Sequence, residues 1–394
     1  MSDNNSVKKI GIYEMSEDGL EIIPVQREEY IPDDFSDKPS QWSVQGVWNQ
    51  FQNVNPRPPR PYNFIRCSEL GKDYWGRFMG MKGIEATNPF DNRVLRVFAA
   101  GDIFHDLVKN VFKSCGIFIN SQDDLDENGK EQFSIIQGNE HRLNVIGHYD
   151  IKVGGKPSEE RIIKSVFNHS IDIAMELLKE IRGKNMSLED LASAFKFSDF
   201  IVDRTRTIIK KLNDTYPNGL KEMLYDVKSI NSQAFWGKRS YLGEAYPHHQ
   251  LQLYAYLKAN NISDGRVLYV SKDDLSVQEF SVIYPTERLE QLLEKDVSEM
   301  SHYYLNDIEP PKPKSIVFDE RKTLSFTFEK KKYKMVGCHT MNWEVSRNAY
   351  FQILTGCKTP DEWEDKHKVE LKTLNDARKE KLIERLKIEK LNAN

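Results

Sequence analysis

The stretch "LYDVKS", Leu224 to Ser229, sets an aspartate and a lysine two positions apart. In a strand, residues i and i+2 project to the same face, so Asp226 and Lys228 would stand side by side. A carboxylate can hold a divalent cation and an ammonium can meet a phosphate, which is the beginning of a phosphodiester-cleaving site. The triplet alone decides nothing. An acidic residue, any residue and a lysine also occur at Asp150-Ile151-Lys152, Glu320-Arg321-Lys322, Glu329-Lys330-Lys331 and Glu370-Leu371-Lys372. The copy at Asp226 is distinguished by its company. "GDIFH" puts Gly101 and His105 one helical turn apart, on a shared face. "GHYD" ends a strand-like run with Asp150, and "QLQLY" sets Gln250 and Tyr254 at i and i+4.

These residues need elements to hold them. "RVLRVFAAGDIFHDLVKNVF" predicts a helix over 93–112, with Val97, Ala100, Phe104, Val108 and Val111 at helical spacing. "KEQFSIIQG" and "HRLNVIGHYDIKV" read as two strands joined by a turn at Gly138-Asn139. "EMLYDVKSI" is a short buried strand, and "HHQLQLYAYLKAN" a helix with Pro247 in its first turn. "GRVLYVS" and "SVQEFSVIY" make a hairpin-like pair. "TERLEQLLEKDVSEMSHYYL" follows as a helix, with Leu289, Leu292, Leu293, Met300 and Tyr303 on one face. That order describes a mixed α/β or α+β domain.

The remaining chain divides around this core. Residues 1–62 read as an extension: "NPRPPRPYNF" favours extended polyproline conformation, and "QWSVQGVWNQF" an amphipathic turn packed on the domain surface. The core spans 63–310 and is interrupted at about 157–215 by a helical insertion, which holds the capping-box start "SLEDLASAF" and the basic "RTRTIIKK". Residues 311–394 form a C-terminal region with a charged helical tail. There the stripe Leu374, Leu382, Leu386 is broken by Arg378, against a continuous coiled coil.

Composition bounds the function. The 394 residues are 39% hydrophobic and 29% charged, with 20 Phe, 17 Tyr and six Trp, enough for a packed core. The net charge of −4 opposes a general nucleic-acid coating role while permitting a local basic groove. No apolar run reaches the roughly 20 residues of a membrane helix. The start lacks a secretory or transit pattern, and Cys67, Cys115, Cys338 and Cys357 have no disulfide-framework spacing. A cytoplasmic protein is expected.

The succession G-x-x-x-H, G-x-x-D, D-x-K, Q-x-x-x-Y resembles the RecB-type branch of the PD-(D/E)XK nuclease superfamily, most closely the exonucleases of phages and of CRISPR spacer acquisition. The resemblance covers roughly 66–310. It implies a restriction-endonuclease-like core, a central mixed sheet flanked by helices, and metal-dependent cleavage of DNA. Asp150 and Asp226, with the Val227 carbonyl, would hold Mg²⁺ or Mn²⁺, which take oxygen ligands. His105 matches the family's additional imidazole ligand and favours Mn²⁺. Lys228 would face the scissile phosphate or the attacking water. Gln250 would fix Lys228 or that water, and Tyr254 would brace the site or contact DNA.

Many relatives carry an iron–sulfur cluster on one cysteine before the core helix and three after the last strand. Here Cys67 stands near the first position, but no C-x-x-C occurs, so no such cluster is expected. "NSQAFWGKRSYLGEAY", 231–246, mixes aromatics with cations, and Trp236, Lys238, Arg239 and Tyr241 suit contact with a single strand or frayed end. The reading is a DNA exonuclease of replication, recombination or phage DNA processing. A helicase or single-strand-annealing partner is plausible for that class. A structure-specific endonuclease with the same site, or a non-catalytic DNA-binding subunit keeping the fold, are the rivals.

Overall fold

The computed structural model describes residues 11–15, 22–26, 60–88, 92–124, 130–162, 199–232, 235 and 244–392. The chain forms two compact units, Met1–Pro56 and Arg57–Asn394. In the first, β1 (Gly11–Met15) pairs antiparallel with β2 (Ile22–Gln26). The segments "QWSVQGVWNQF" and "SLEDLASAF" lie outside the described residues.

The second unit begins with β3 (Phe64–Arg66), a 3-10 turn (Cys67–Glu69), α1 (Tyr74–Met81) and α2 (Asn92–Ser114). Next come β4 (Phe118–Asn120), β5 (Ser134–Ile136), β6 (Asn144–Gly147) and β7 (Ile151–Gly155). After α3 (Asp199–Thr215) follow β8 (Leu220–Ile230), α4 (Pro247–Asn260), β9 (Asp264–Ser271), β10 (Val277–Ile283) and α5 (Glu287–Leu305). The C-terminal part is β11 (Ile316–Phe328), β12 (Lys331–Met341), the short α6 (Trp343–Ser346) and α7 (Phe351–Thr355), and the long α8 (Pro360–Asn392).

The main sheet has the order β10-β9-β8-β7-β4. It is mixed: β8 runs parallel to β9, and the other neighbours are antiparallel. A smaller sheet, β3-β6-β5, pairs β6 parallel with β3 and antiparallel with β5. Alternation along the strands separates two apolar faces. Tyr225, Val227, Leu268 and Val270 pack with Ile151 and Val153 against Phe104, Val108 and Phe112 of α2. Leu224, Val267 and Tyr269 face the other way, into a larger core with α4 and α5. Helices thus flank a mixed sheet, as the pattern of apolar residues required.

Two expected helix faces are revised. On α2, Val97 is 44% and Val111 54% exposed, and the stripe that meets the sheet is the buried Val108 with the half-buried Phe104 and Phe112, spaced by four. On α5, Leu289, Leu293 and Met300 are buried, Tyr303 packs against the core, and Leu292 is exposed. In both helices the inner stripe is narrower than apolar spacing alone implies, because only one sheet face meets each helix.

The C-terminal region holds an antiparallel pair, β11 with β12, that the sequence reading did not anticipate. Its Phe326, Met335 and Cys338 pack against Leu382, Ile383 and Leu386 of α8. Arg378, which breaks the leucine stripe, lies 4.4 Å from the Phe318 ring centroid and donates to the Val336 and Gly337 carbonyls. The charged helix therefore has its own hairpin as a partner. Among the described residues, no helix is long and apolar enough to cross a membrane.

Candidate active site

Strand β8 supplies the centre. Its Asp226 is fully buried, and the Lys228 Nζ donates to Asp226 Oδ1 at 2.9 Å. The second oxygen, Oδ2, is also buried and has no hydrogen-bond partner among the described residues. The antiparallel register pairs Ile151 with Tyr225, so Asp150, the residue just before β7, lies level with Asp226. Asp150 is 8% exposed, and its Oδ2 accepts the Val227 backbone N–H at 2.6 Å. A carboxylate that accepts a backbone N–H at this length is held firmly, by a charge-assisted bond of about 1.5–3 kcal/mol.

Asp150 sits in the three-residue link between β6 and β7, where the chain passes from the small sheet to the large one. Gly147, at the end of β6, has a steric reason for its identity. A Cβ there would stand 2.8 Å from the Cys67 Cβ and 2.9 Å from a Tyr256 ring carbon. The link is braced by Gln122, whose Oε1 accepts from the Tyr149 N–H at 3.1 Å and from Ser134 Oγ at 2.7 Å. The Gln122 N–H donates back to the Tyr149 carbonyl, and the Tyr149 hydroxyl donates to Asn120 at 2.9 Å.

This bracing carries the next residue, Asp123, to the site. His105, Asp123 and Asp150 each offer a ligand atom, and these atoms lie within 4.8 Å of one another. The His105 Nε2 is 3.9 Å from Asp150 Oδ2. Gly101, one turn earlier on α2, lies over Ser229 of β8, where a Cβ would make an ordinary contact with its Oγ at 3.6 Å. The sequence reading missed Asp123. Its local signal was weak, a carboxylate in the acidic run "SQDDLDENG" after a short strand.

Burial and mutual repulsion dominate the electrostatics. Burial, followed by the negative charge of Asp226, raises the Asp150 carboxyl above its ordinary range. Asp226 is also raised by burial, against the opposing pull of Lys228. Burial works to lower the Lys228 ammonium, but Asp226 and Asp150 outweigh it and hold the proton more tightly than usual. Two carboxylates in one buried site are costly without a compensating cation, and one lysine answers only part of the charge.

The residues present fit a hard divalent ion. The cluster His105, Asp123 and Asp150 offers carboxylate oxygens and one imidazole; Asp226 is not part of that cluster, and its buried Oδ2 accepts no hydrogen bond among the described residues. Val227 enters through its N–H bond to Asp150. The Gln250 amide turns to the loop before α4, donating to the Ala245 carbonyl at 2.6 Å and to Glu244 at 3.3 Å. Tyr254 is fully buried, and its hydroxyl donates to Glu290 Oε2 on α5 at 2.7 Å, which makes it a core residue of the α4–α5 contact. Trp236, Lys238, Arg239 and Tyr241 lie outside the described residues. Cys67, Cys338 and Cys357 are buried in three separate apolar clusters, and Cys115 follows the end of α2.

No family model matches the chain, and no curated protein does. One solved structure, described as "Crystal structure of SSO0001", aligns over 69% of this chain and 90% of its own, at 12% identity and a TM-score of 0.33. A likeness that shallow carries no argument about fold or chemistry.

Proposed function

We propose that the chain is a divalent-metal-dependent deoxyribonuclease of the PD-(D/E)XK type, acting as an exonuclease. One observation carries the reading. Asp226 in β8 and Asp150 just before β7 stand level, both buried, with one Asp226 oxygen left unpartnered among the described residues, and Lys228 follows two residues after Asp226 on the same strand face. A structural ion pair would have no use for that spare buried carboxylate oxygen, since leaving such a group unsatisfied costs about 1–3 kcal/mol.

Asp150, Asp226 and His105, joined by Asp123, would hold Mg²⁺ or Mn²⁺, which activates water and draws negative charge from the phosphate when bound. The chain's own residues supply the rest. Asp226 Oδ1 fixes the Lys228 ammonium in place, and the raised pKa keeps it protonated at neutral pH. Lys228 thereby offers a cation to a phosphate oxygen. The Val227 N–H orients the Asp150 carboxylate, so the site is assembled before substrate arrives. Gln250 holds the loop that precedes α4 and acts by positioning that loop.

The test uses end-labelled linear DNA and closed circular DNA with Mn²⁺, Mg²⁺ or EDTA. The reading predicts end-shortening of the linear substrate with either metal, none in EDTA, and intact circles. Cut circles would make the enzyme an endonuclease on the same site. No metal-dependent hydrolysis of either substrate would refute the reading.

A further inference from the structure

A cavity of about 1060 Å³ lies between α1 with the 3-10 turn before it, His248 in the first turn of α4, and the segment 343–350 of the C-terminal region. Its walls are fitted closely to each other. A Cβ at Gly76 would stand 3.2 Å from the Asn348 amide, and the Asn88 N–H donates to the Ala349 carbonyl at 2.8 Å. The C-terminal wall falls outside the stretch on which the nuclease resemblance rests.

The lining is cationic once existing partners are subtracted. Arg77 is held by Asp296 at 2.9 Å. The Asp73 carboxylate caps α1 through the Trp75 and Gly76 N–H groups, and Glu69 is shared by Arg66 and the Tyr62 hydroxyl. Arg60, Lys72 and Arg347 are left with no ion pair among the described residues, against two carboxylates without one, Asp73 and Glu344. Aromatic rings stand among them. Trp343 is 57% exposed and makes no ring contact among the described residues, while Tyr350 is seated edge-on to Trp75 at 6.1 Å. The cavity also runs towards the carboxylate site: His248 on its wall is followed by His249, whose ring bonds the Tyr269 hydroxyl at 2.8 Å, and Tyr269 is the register partner of Lys228 on the neighbouring strand.

We infer that this cavity binds a single strand of nucleic acid leading to the carboxylate site, with Trp343 stacking on a base and Arg347, Arg60 and Lys72 meeting the backbone phosphates. The inference deepens the nuclease reading and rests on it for its purpose. Unpaired cations beside an open indole match what a single strand offers, phosphates and bare base faces together. A duplex hides those faces, and a small inorganic anion would leave the ring and most of the volume unused.

The experiment measures binding of a fluorescein-labelled oligothymidylate, and of a duplex of the same length, in EDTA. Wild type is compared with Trp343→Ala and Arg347→Ala, both at exposed positions whose truncation spares the core. Each variant is expected to bind the single strand about tenfold more weakly, the scale of one stacked base or one phosphate contact. Arg347→Ala also flattens the logarithmic salt dependence by about 0.7, the value for one phosphate on a single strand, and Trp343→Ala leaves it unchanged. Unchanged single-strand affinity in both variants, or an equal loss on the duplex, overturns the inference. Cleavage is measured separately with metal. A wild type that binds as expected but never cuts sinks the nuclease reading and leaves the cavity assignment standing, and the converse sinks only the cavity.

Discussion

Asp226 spends one oxygen on the Lys228 ammonium and keeps the other buried without a partner among the described residues. Such an atom persists where something else claims it, and here Asp150 stands level with Asp226 while His105 and Asp123 gather around Asp150. Asp123 is the least expected member, and its substitution tests the gathering without emptying the core. Asp123→Asn should weaken Mn²⁺ binding, read by titration calorimetry, by about tenfold, the lower end of what neighbouring groups contribute to metal affinity. Unchanged affinity would remove Asp123 from the set. Tyr254 makes the opposite case. Since its hydroxyl serves Glu290, Tyr254→Phe should lower stability by about 1–2 kcal/mol in urea and leave the cleavage rate unaltered. A large rate loss at intact stability would return the residue to the site. The two-residue period made Asp226 and Lys228 legible from sequence. Asp123 was not legible, because its position depends on Gln122 bracing a link many residues away.

At the scale of elements, the site depends on how closely the small sheet approaches α4. Gly147 lies against Cys67 and Tyr256 with no space for a side chain, so Gly147→Ala should cost about 1–3 kcal/mol, the usual range for overpacking, and shift the Asp150 link. Chemical denaturation reads the cost, and an unaltered midpoint would show that the contact yields freely. Periodicity located β8, α4, the β9–β10 pair and α5 in the sequence because each buries a continuous face. The face of α2 was misread at Val97 and Val111, since apolar spacing does not say which of two overlapping stripes the sheet will cover. The β11–β12 pair escaped notice for a related reason. Its strands alternate with lysines and pack on α8 and, through Ile316 and Met341, on the short α6 and α7, so they lack the dense apolar run of a central strand.

Across the whole molecule, one consequence of burying so many ionisable groups is acid sensitivity. His249 is buried against Tyr269, with Lys228, His248 and Lys72 nearby, and burial followed by the Lys228 charge drives its pKa down to about 2. The unfolded chain takes up a proton at this histidine as pH falls below about 6.5, whereas the folded chain stays neutral. Its stabilising contribution is therefore full above that pH and declines below it, by up to about 1.4 kcal/mol per pH unit. The urea midpoint should fall between pH 7 and pH 5, and by less in His249→Gln. Equal slopes would assign the loss to other groups. Net charge gave no hint of the site or of the cavity, because both are local arrangements within a chain of balanced composition. The central claim is that the paired carboxylates and Lys228 form one hydrolytic site, and the most direct measurement compares wild type with Lys228→Met on labelled linear DNA in Mn²⁺, with circular dichroism verifying the fold of each. The account predicts a loss of at least a hundredfold in rate at unchanged secondary structure, and a folded Lys228→Met protein that cuts as fast as wild type would contradict it.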